Sequence, residues 1–249
     1  MQAFHEVIDL LFPHFCLVCG RRLGQSLLCS GCLPLQPVLD APTRCTCCFS
    51  LTPDLDACGR CTLCRLYPLP FQRMRFLWSY EGQARDLIST IKYRPSFRLG
   101  KITAAHAATL FEPILHSGSW DLIVPTPTSR HSLWSRPFNL CLLLAKALQD
   151  SSPGAGVVSD SALLHHGCRA PQASLRPRER LRNVRHSFSA RAHEVEGKSI
   201  LLVDDVITTG ATSAAAARAL LLAGAAEVDL IALARASTWE QYRMKLYQE

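Results

Sequence analysis

The segment 200–212 constrains the fold most, because it joins a buried strand, two acids, a small polar loop and a helix. Its apolar first part is typical of a central parallel strand that is covered on both faces. Asp204 and Asp205 follow at the edge where parallel α/β sheets bind ligands. An Ala-rich helix is predicted over residues 213–223, and its N-terminus directs unpaired N–H groups at the loop. The segment therefore predicts a phosphate site beside two carboxylates suited to sugar hydroxyls.

Two other interpretations fit the same residues. The segment is also compatible with an ordinary strand-to-helix turn in which the acids only cap the helix. An acidic pair of the receiver type, which binds a metal or accepts a phosphoryl group, needs further acids on neighbouring strands. Asp121 is the only obvious candidate for such an acid. We therefore favour phosphosugar binding.

The composition describes a folded chain that is not inserted in a membrane. Of the 249 residues, 48% are apolar and 19% are charged, which excludes a disordered protein. No apolar run approaches the roughly 20 residues that a membrane helix needs. The first residues lack the basic start of a signal peptide, so we expect an amphipathic opening helix and a cytoplasmic protein.

The net charge of +7 is carried mostly by arginine. Seven arginines lie between His165 and His193, where Glu179 is the only acid. Such a cluster attracts phosphate groups, either of a small molecule or of a nucleic acid.

Ten of the twelve cysteines lie between residues 16 and 64, and their spacing repeats. Each repeat contains two C-x2-C knuckles that are separated by nine residues. The second repeat is the first shifted by 29 positions. Paired knuckles of this kind place four thiolates around one structural Zn²⁺. The predicted metal ligands are Cys16, Cys19, Cys29 and Cys32 in the first quartet and Cys45, Cys48, Cys58 and Cys61 in the second.

Other uses of these cysteines remain open. A disulfide framework is disfavoured by the reducing cytoplasm, and an iron–sulfur cluster is a further alternative. The two quartets can also exchange partners, and Cys47 can compete with Cys48 as a ligand. Few apolar residues lie between the knuckles, so metal is expected to supply much of the folding energy of this module.

Strands and helices alternate along the rest of the chain, which predicts a parallel α/β sheet. We predict strands at 76–80, 121–124, 157–158, 200–203 and 228–233, and helices at 83–93, 102–115, 137–148 and 213–223. The domain organisation predicted on this basis is an N-terminal helix and tandem zinc-knuckle module over residues 1–68. A second domain, of the parallel α/β type, then covers residues 69–249.

Residues 204–212 closely resemble the signature with which type I phosphoribosyltransferases bind 5-phosphoribosyl 1-pyrophosphate (PRPP). Over nearly the whole chain, the order of motifs resembles the ComF family, which includes the competence-associated ComF proteins and the GntX type. The matching motifs are the cysteine knuckles, Tyr80-x-Gly82, Ile91-Lys92-Tyr93, Val124-Pro-x-Pro127, Arg136-x-Phe138-Asn139, Gln172-x-x-Leu175, Arg180-x-x-Asn183, Phe188 and the signature. The chain departs from the family at Pro137, which replaces Gly, and at Leu140, which replaces Gln.

The resemblance implies that residues 69–249 form a phosphoribosyltransferase-like domain with the type I fold, and it implies a role for each matching residue. It assigns Asp204 and Asp205, the candidate catalytic residues, to the ribose 2′ and 3′ hydroxyls. It assigns the 5′-phosphate to Thr208, Thr209, Gly210, Ala211 and Thr212. The candidates for the pyrophosphate and the mobile loop are Thr126, Thr128, Arg130, Arg136, Gln172, Arg180 and Asn183. Lys92 matches a lysine of the family, but a solvated surface lysine fits the sequence equally well.

The resemblance implies transfer of the phosphoribosyl group from PRPP with Mg²⁺, release of pyrophosphate and a role in DNA uptake or natural transformation. The acceptor is unknown, and Thr208 stands where relatives acting on 6-oxopurines carry an acidic base, so a purine salvage enzyme of that kind is not expected. The alternative is a non-enzymatic protein of the competence machinery that binds single-stranded DNA or a nucleotide. Trp78, Trp120 and Trp134 are candidate stacking residues for that alternative, unless they belong to the core. Competence proteins are possible partners in either case.

Overall fold

A computed structural model describes most of the chain. The described residues are 14–23, 28–33, 35–38, 41–94, 96–128, 138–166, 187–237, 239–241 and 244. Within these ranges, no helix is both long enough and apolar enough to cross a bilayer.

The described elements alternate between strands and helices. The strands are β1 (His14–Phe15), β2 (Arg22–Leu23), β3 (Met74–Ser79), β4 (Leu122–Pro125), β5 (Val157–Val158), β6 (Leu163–His165), β7 (Phe188–Ala190), β8 (Ser199–Ile207) and β9 (Glu227–Arg235). The α-helices are α1 (Thr62–Leu66), α2 (Gly82–Tyr93), α3 (Phe97–Ser117), α4 (Leu140–Ser151), α5 (Ala192–Val195) and α6 (Ala211–Leu222). A short 3-10 helix (Pro153–Ala155) lies between α4 and β5.

Five strands form a parallel sheet in the order β3-β9-β8-β4-β5. All four strand pairs in this sheet are parallel, so the predicted parallel α/β fold is confirmed. β8 lies in the middle and is buried along its apolar half, as expected for a strand that is covered on both faces.

Side chains of β8 alternate between two buried clusters. Leu201 and Val203 belong to one cluster, and Ile200 and Leu202 belong to the other. Successive side chains of a strand point to opposite faces, so each cluster covers one face of the sheet. Helices α2, α3 and α4 contribute to the first cluster, and α6 contributes to the second. The architecture is therefore a sheet between two layers.

Two of the helices begin at residues whose side chains cap them. The Ser96 hydroxyl accepts a hydrogen bond from the Leu99 N–H, and α3 therefore begins five residues before the predicted start at 102. The Asn139 carbonyl oxygen accepts from the Cys141 N–H, and α4 begins at Leu140, three residues after the predicted start. Capping by short polar side chains thus fixes both starts.

The antiparallel pair β6 and β7 was not among the predicted elements. His165 pairs with Phe188 in this hairpin, and their rings lie 4.8 Å apart. The hairpin connects to the arginine-rich segment at residues 167–186, which lie outside the described residues.

The second set of cysteines shares its core with the sheet. Cys45, Cys48 and Cys61 are buried in the same cluster as Met74 and Phe76 of β3. The Met74 N–H also donates to the Cys47 carbonyl, at 2.6 Å. The boundary at residue 68 stays a prediction, but these contacts attach the cysteine-rich part directly to the edge strand β3.

Candidate active site and metal centres

The two acids lie inside β8 and are the first two residues beyond its pairing with β4. That pairing ends at Val203 and Pro125, whereas the pairing with β9 continues to Ile207 and Arg235. The strand therefore extends past the predicted end at residue 203, and the acids project from a backbone that is held on one side only. This is the carboxyl edge of the sheet, where parallel α/β proteins bind ligands.

Asp204 is buried and hydrogen-bonded within the protein. The Ser213 hydroxyl donates to its Oδ2 at 2.6 Å, and the Asp205 N–H donates to its Oδ1 at 2.9 Å. The Cys141 Sγ lies 4.0 Å from Oδ1. Burial, and then the negative charge of Asp205, raise the pKa of Asp204 to about 6. Asp204 is thus held in position as an acceptor whose charge changes near neutral pH.

Asp205 is paired with Lys92, the last-turn lysine of α2. The Lys92 Nζ lies 2.8 Å from Asp205 Oδ1, and both side chains are largely enclosed. Burial lowers the pKa of Lys92, but the adjacent Asp205 carboxylate outweighs burial and the net direction is upward. The sequence left Lys92 open between a solvated and a functional role. The structure shows it as the counter-charge of the acidic pair.

The loop after β8 ends in a left-handed glycine that begins a helix. Gly210 has φ +73° and is the N-cap of α6 (Ala211–Leu222). A Cβ at this glycine would lie 2.8 Å from the Trp239 Nε1, so glycine is required both by its backbone angle and by space. The first N–H groups of α6 lack intrahelical partners, and the Ala211 N–H points at the Thr209 hydroxyl. This geometry suits a phosphate group.

Thr208 and Thr212 are exposed, and Thr209, Gly210 and Ala211 are partly exposed. All five predicted phosphate-loop residues are therefore brought together beside the acids and accessible to a ligand. Ser213, which follows them and orients Asp204, was missed from the sequence. A hydroxyl in the first turn of the helix that follows the acids was the available signal.

The turn after β4 lies beside the acids because of the sheet register. The Thr126 N–H donates to the Val203 carbonyl, and the Thr126 carbonyl accepts from the Asn139 amide. Thr126 is 6% exposed, and its Oγ1 has no hydrogen-bond partner among the described residues. Thr128, two residues further on, is partly exposed. A buried hydroxyl without a partner is uncommon and leaves a donor available at the candidate pyrophosphate turn.

Two cysteine tetrads have the geometry of metal sites. In each, the four Sγ atoms lie within 4.8 Å of one another, and they belong to Cys16, Cys19, Cys29 and Cys32 in the first and Cys45, Cys48, Cys61 and Cys64 in the second. Two of the Sγ–Sγ distances, Cys19–Cys29 and Cys48–Cys61, are 3.7 Å. Four sulfurs at about 2.3 Å from one ion are separated by about 3.8 Å in a tetrahedron, whereas a disulfide requires about 2.05 Å.

The second tetrad also shows the hydrogen bonds of a metal-binding thiolate. The N–H groups of Cys48 and Cys61 donate to the Cys45 Sγ at 3.5 and 3.3 Å. Hydrogen bonds from the Cys48, Cys61 and Cys64 side chains hold the pKa of Cys45 far below its usual range. The donor set therefore fits a tetrahedral divalent ion.

One predicted ligand of the second quartet is wrong. Cys58 is exposed, and its N–H is turned to the Asp56 carboxylate in a turn that includes the left-handed Gly59. Cys64, on α1, takes the expected place of Cys58. Cys58, Cys61 and Cys64 form two overlapping C-x2-C knuckles, so the C-x2-C spacing alone fits either Cys58 or Cys64 as the partner of Cys61. The regular shift of 29 residues favoured Cys58.

Comparison with known proteins identifies the relatives of this chain. A family model for the phosphoribosyl transferase domain matches residues 153–247. The DNA utilization protein YhgH of Escherichia coli strain K12 is 32% identical over 178 residues, 68% of this chain and 74% of that protein. The competence protein ComFC of Bacillus subtilis strain 168 is 28% identical over 172 residues, 67% of this chain and 66% of that protein. The chain belongs to the ComF family.

A more distant likeness is found among solved structures. The match with the glutamine PRPP amidotransferase from B. subtilis covers 59% of this chain and 30% of the chain of that enzyme, with 20% identity and a TM-score of 0.42. So weak a likeness carries no argument about function. The ComF membership rests on the curated relatives, and the phosphoribosyltransferase-type fold rests on the family model and the observed parallel sheet.

Several candidate residues for the pyrophosphate and the mobile loop lie outside the described residues, and their roles stay predictions. These are Arg130, Arg136, Gln172, Arg180 and Asn183. Leu140, which replaces the Gln of the family, is fully buried as the first residue of α4 and packs in the core. Asn139 caps α4 and holds the Thr126 carbonyl, so the structure gives it a helix-start role that also supports the turn after β4.

The corrected tetrad predicts which cysteine is needed for metal. Cys64→Ser should reduce the metal bound per chain by one ion, because it removes one of four thiolates. Cys58→Ser is the matched control and should retain the full content. Elemental analysis of the purified variants measures this directly. Loss of an ion in Cys58→Ser with full content in Cys64→Ser would contradict the assignment.

Proposed function

We propose that this ComF-family protein binds PRPP with Mg²⁺ and transfers its phosphoribosyl group to an acceptor, with release of pyrophosphate. The observation that carries the proposal is the pair Asp204 and Asp205 beside the N-terminus of α6. The resemblance to the PRPP-binding signature assigns these acids to the ribose hydroxyls and the loop 208–212 to the 5′-phosphate, and both lie within the span of the phosphoribosyl transferase family model.

In the proposed reaction the bond between C1 of the ribose and the pyrophosphate oxygen breaks, and a bond from the acceptor to C1 forms. Asp204 and Asp205 accept hydrogen bonds from the 2′ and 3′ hydroxyls and fix the ring. Backbone N–H groups at the start of α6 hold the 5′-phosphate. The turn at Thr126 and Thr128 faces the leaving group, and its donors offset the charge that develops there. Bound Mg²⁺ would supply further neutralisation of the pyrophosphate.

Lys92 contributes to this site by compensating the charge of the acids. Two adjacent carboxylates in a half-enclosed site repel each other, and one is already held at a raised pKa. The Lys92 ammonium group, 2.8 Å from Asp205, favours the charged form of Asp204. The acids are therefore kept as acceptors before the ligand arrives.

The first prediction for this function concerns PRPP binding. Wild-type protein should bind PRPP in the presence of Mg²⁺, and Asp204→Asn with Asp205→Asn should weaken binding by about 10- to 100-fold. That range corresponds to about 1.5–3 kcal/mol, because both Asn side chains keep an oxygen that accepts a hydrogen bond but lose the charge that strengthens it. Isothermal titration calorimetry measures the affinity. Asp160→Asn, an exposed acid outside the site, is the control. No heat of binding for wild type at millimolar PRPP would contradict the proposal.

A second prediction concerns pH. The pKa of Asp204 is about 6, so this carboxylate gains a proton as the pH falls through that value and PRPP affinity should fall with it. Lys92→Met removes a charge that lowers the pKa of Asp204, and the pH of half-maximal affinity should therefore rise. The phosphates of PRPP titrate in the same way with both proteins, so a difference between the two pH profiles comes from the acids of the site. Calorimetry on both sides of pH 6 measures it, with Lys101→Met as control. Identical profiles for wild type and Lys92→Met would contradict the charge coupling.

The two tetrads are proposed to hold structural Zn²⁺. Four thiolates at tetrahedral spacing suit zinc. Clusters of metal-binding thiolates are typical of a reducing compartment, which supports the cytoplasmic location that we propose.

Single-stranded DNA binding is the second candidate function, and one cavity favours it. A cavity of about 510 Å³ lies between the first tetrad and α2. Its lining includes Arg21, Arg94 and Tyr93, whose side chain is 82% exposed. Cations beside an exposed ring suit the phosphate and base of a single strand. Trp78 and Trp120, in contrast, are buried and belong to the core.

The names of the relatives also support this second candidate. One relative is named for DNA utilization and another for competence, so we propose a role in DNA uptake or natural transformation, with competence proteins as possible partners. PRPP binding and strand binding are compatible, because the cavity and Lys92 lie on adjoining sides of the last turn of α2.

A third prediction tests the strand site. Tyr93→Ala should weaken binding of a fluorescent oligothymidine by about tenfold, because stacking on one ring contributes about 1–3 kcal/mol per base. Tyr93→Phe should retain affinity. Arg94→Gln should make the salt dependence shallower, and Arg98→Gln, an exposed arginine outside the cavity, should not. Anisotropy titrations in increasing salt measure both effects. An affinity that is flat with salt would contradict phosphate contacts.

A further inference from the structure

Arg235, the last residue of β9, is a buried cation between the second tetrad and the phosphate loop. Its side chain is only 11% exposed. Its backbone pairs with Ile207, the residue before the phosphate loop, and the Ala236 N–H donates to the Ile207 carbonyl. Arg235 therefore lies beside both the second tetrad and the residue that precedes the loop 208–212.

On one side, Arg235 holds the backbone and hydroxyl that surround a metal ligand. Its Nη1 donates to the Cys48 carbonyl at 2.9 Å and to the Ser50 Oγ at 3.0 Å. The Ser50 Oγ lies 3.2 Å from the Cys48 Sγ. When Cys48 is a metal-bound thiolate, the serine hydroxyl can donate to the sulfur while it accepts from Arg235.

On the other side, Arg235 packs on the ring that supports the phosphate loop. Its guanidinium carbon lies 4.4 Å from the centre of the Phe76 ring and 4.9 Å from that of Trp239. Trp239 is 1% exposed, and its Nε1 lies 2.8 Å from the position of a Cβ on Gly210. Displacement of this indole changes the space beneath the glycine that begins α6.

The position of the charged Arg235 side chain depends on the second tetrad. Burial disfavours a guanidinium, and the Glu240 carboxylate at 3.4 Å is itself 41% exposed. Four thiolates around one divalent ion carry a net negative charge, which offsets the buried cation. Metal release removes that charged centre and frees Cys48, and with it the carbonyl and the Ser50 hydroxyl that hold the guanidinium, to move.

We propose that Arg235 is a positioning residue through which metal in the second tetrad orders the phosphate loop, by way of Trp239. A metal-loaded second tetrad keeps the loop 208–212 in the form that accepts a phosphate, and metal release loosens it. The consequence for PRPP affinity rests on the proposed function. The coupling between metal in the second tetrad and the order of the loop 208–212 is independent of that function.

Hydrogen exchange of the loop, followed by mass spectrometry on the full-length protein, tests the coupling without PRPP. Chelation of wild type, and Cys64→Ser, should each speed exchange of a peptide spanning residues 207–212 by about tenfold or more. Cys16→Ser, which disrupts the first tetrad, is the matched control and should leave that peptide unchanged. A peptide from the core of β8 reports whether the domain stays folded.

Arg235→Met distinguishes coupling from general stability. This variant should retain its metal and show fast loop exchange that no longer responds to chelation, and Arg235→Lys should restore part of the response. Arg73→Met, at the opposite end of the sheet, should keep the wild-type response. Trp239→Phe, which keeps a ring but removes the indole, provides a second route to the same result if Arg235→Met does not fold.

The outcomes separate the coupling from the proposed function. Loop exchange that is the same with and without metal in wild type overturns the inference, even if PRPP binds. Metal-dependent loop exchange with no PRPP binding supports the inference and overturns the proposed function. If both hold, Arg235→Met should also lower PRPP affinity by about tenfold.

Discussion

Burial of β8 on both faces is the constraint on which the rest of the structure depends. Its alternate side chains fill two separate clusters, so the strand cannot slip by one residue without placing Asp204 and Asp205 in the wrong layers. The same strand ends its pairing with β4 one position before the acids, which leaves them at an open edge. Partners from three helices then reach them: Lys92 from α2, Cys141 from α4 and Ser213 from α6.

The second tetrad extends this constraint into the cysteine-rich part. Its thiols lie in the same cluster as one face of the sheet, and Arg235 connects them to the end of β9. The second tetrad and the sheet are therefore parts of one core at this point. The first tetrad forms a smaller cluster with a few partly buried neighbours, which explains why we expect it to act independently of the phosphate loop.

The sequence predicted the sheet, and it placed the two acids and the loop 208–212 between a strand and a helix, because each depends on local pattern: an apolar run, two acids and a glycine before a helix. It did not predict the exchange of Cys58 for Cys64, since overlapping knuckles satisfy the same spacing and only the turn at Asp56 decides between them. Helix starts at Phe97 and Leu140 depended on capping by Ser96 and Asn139. The Lys92–Asp205 pair joins residues 113 positions apart, and no periodicity in the sequence records such a contact.

The central claim is that the acids and the loop form one phosphosugar site. A crystal structure of the protein with PRPP and Mg²⁺ tests it most directly. The account predicts the 5′-phosphate on the N–H groups of residues 208–212 and the ribose hydroxyls on Asp204 and Asp205. A PRPP molecule bound elsewhere, with this loop and both acids free of contacts to it, would contradict the account.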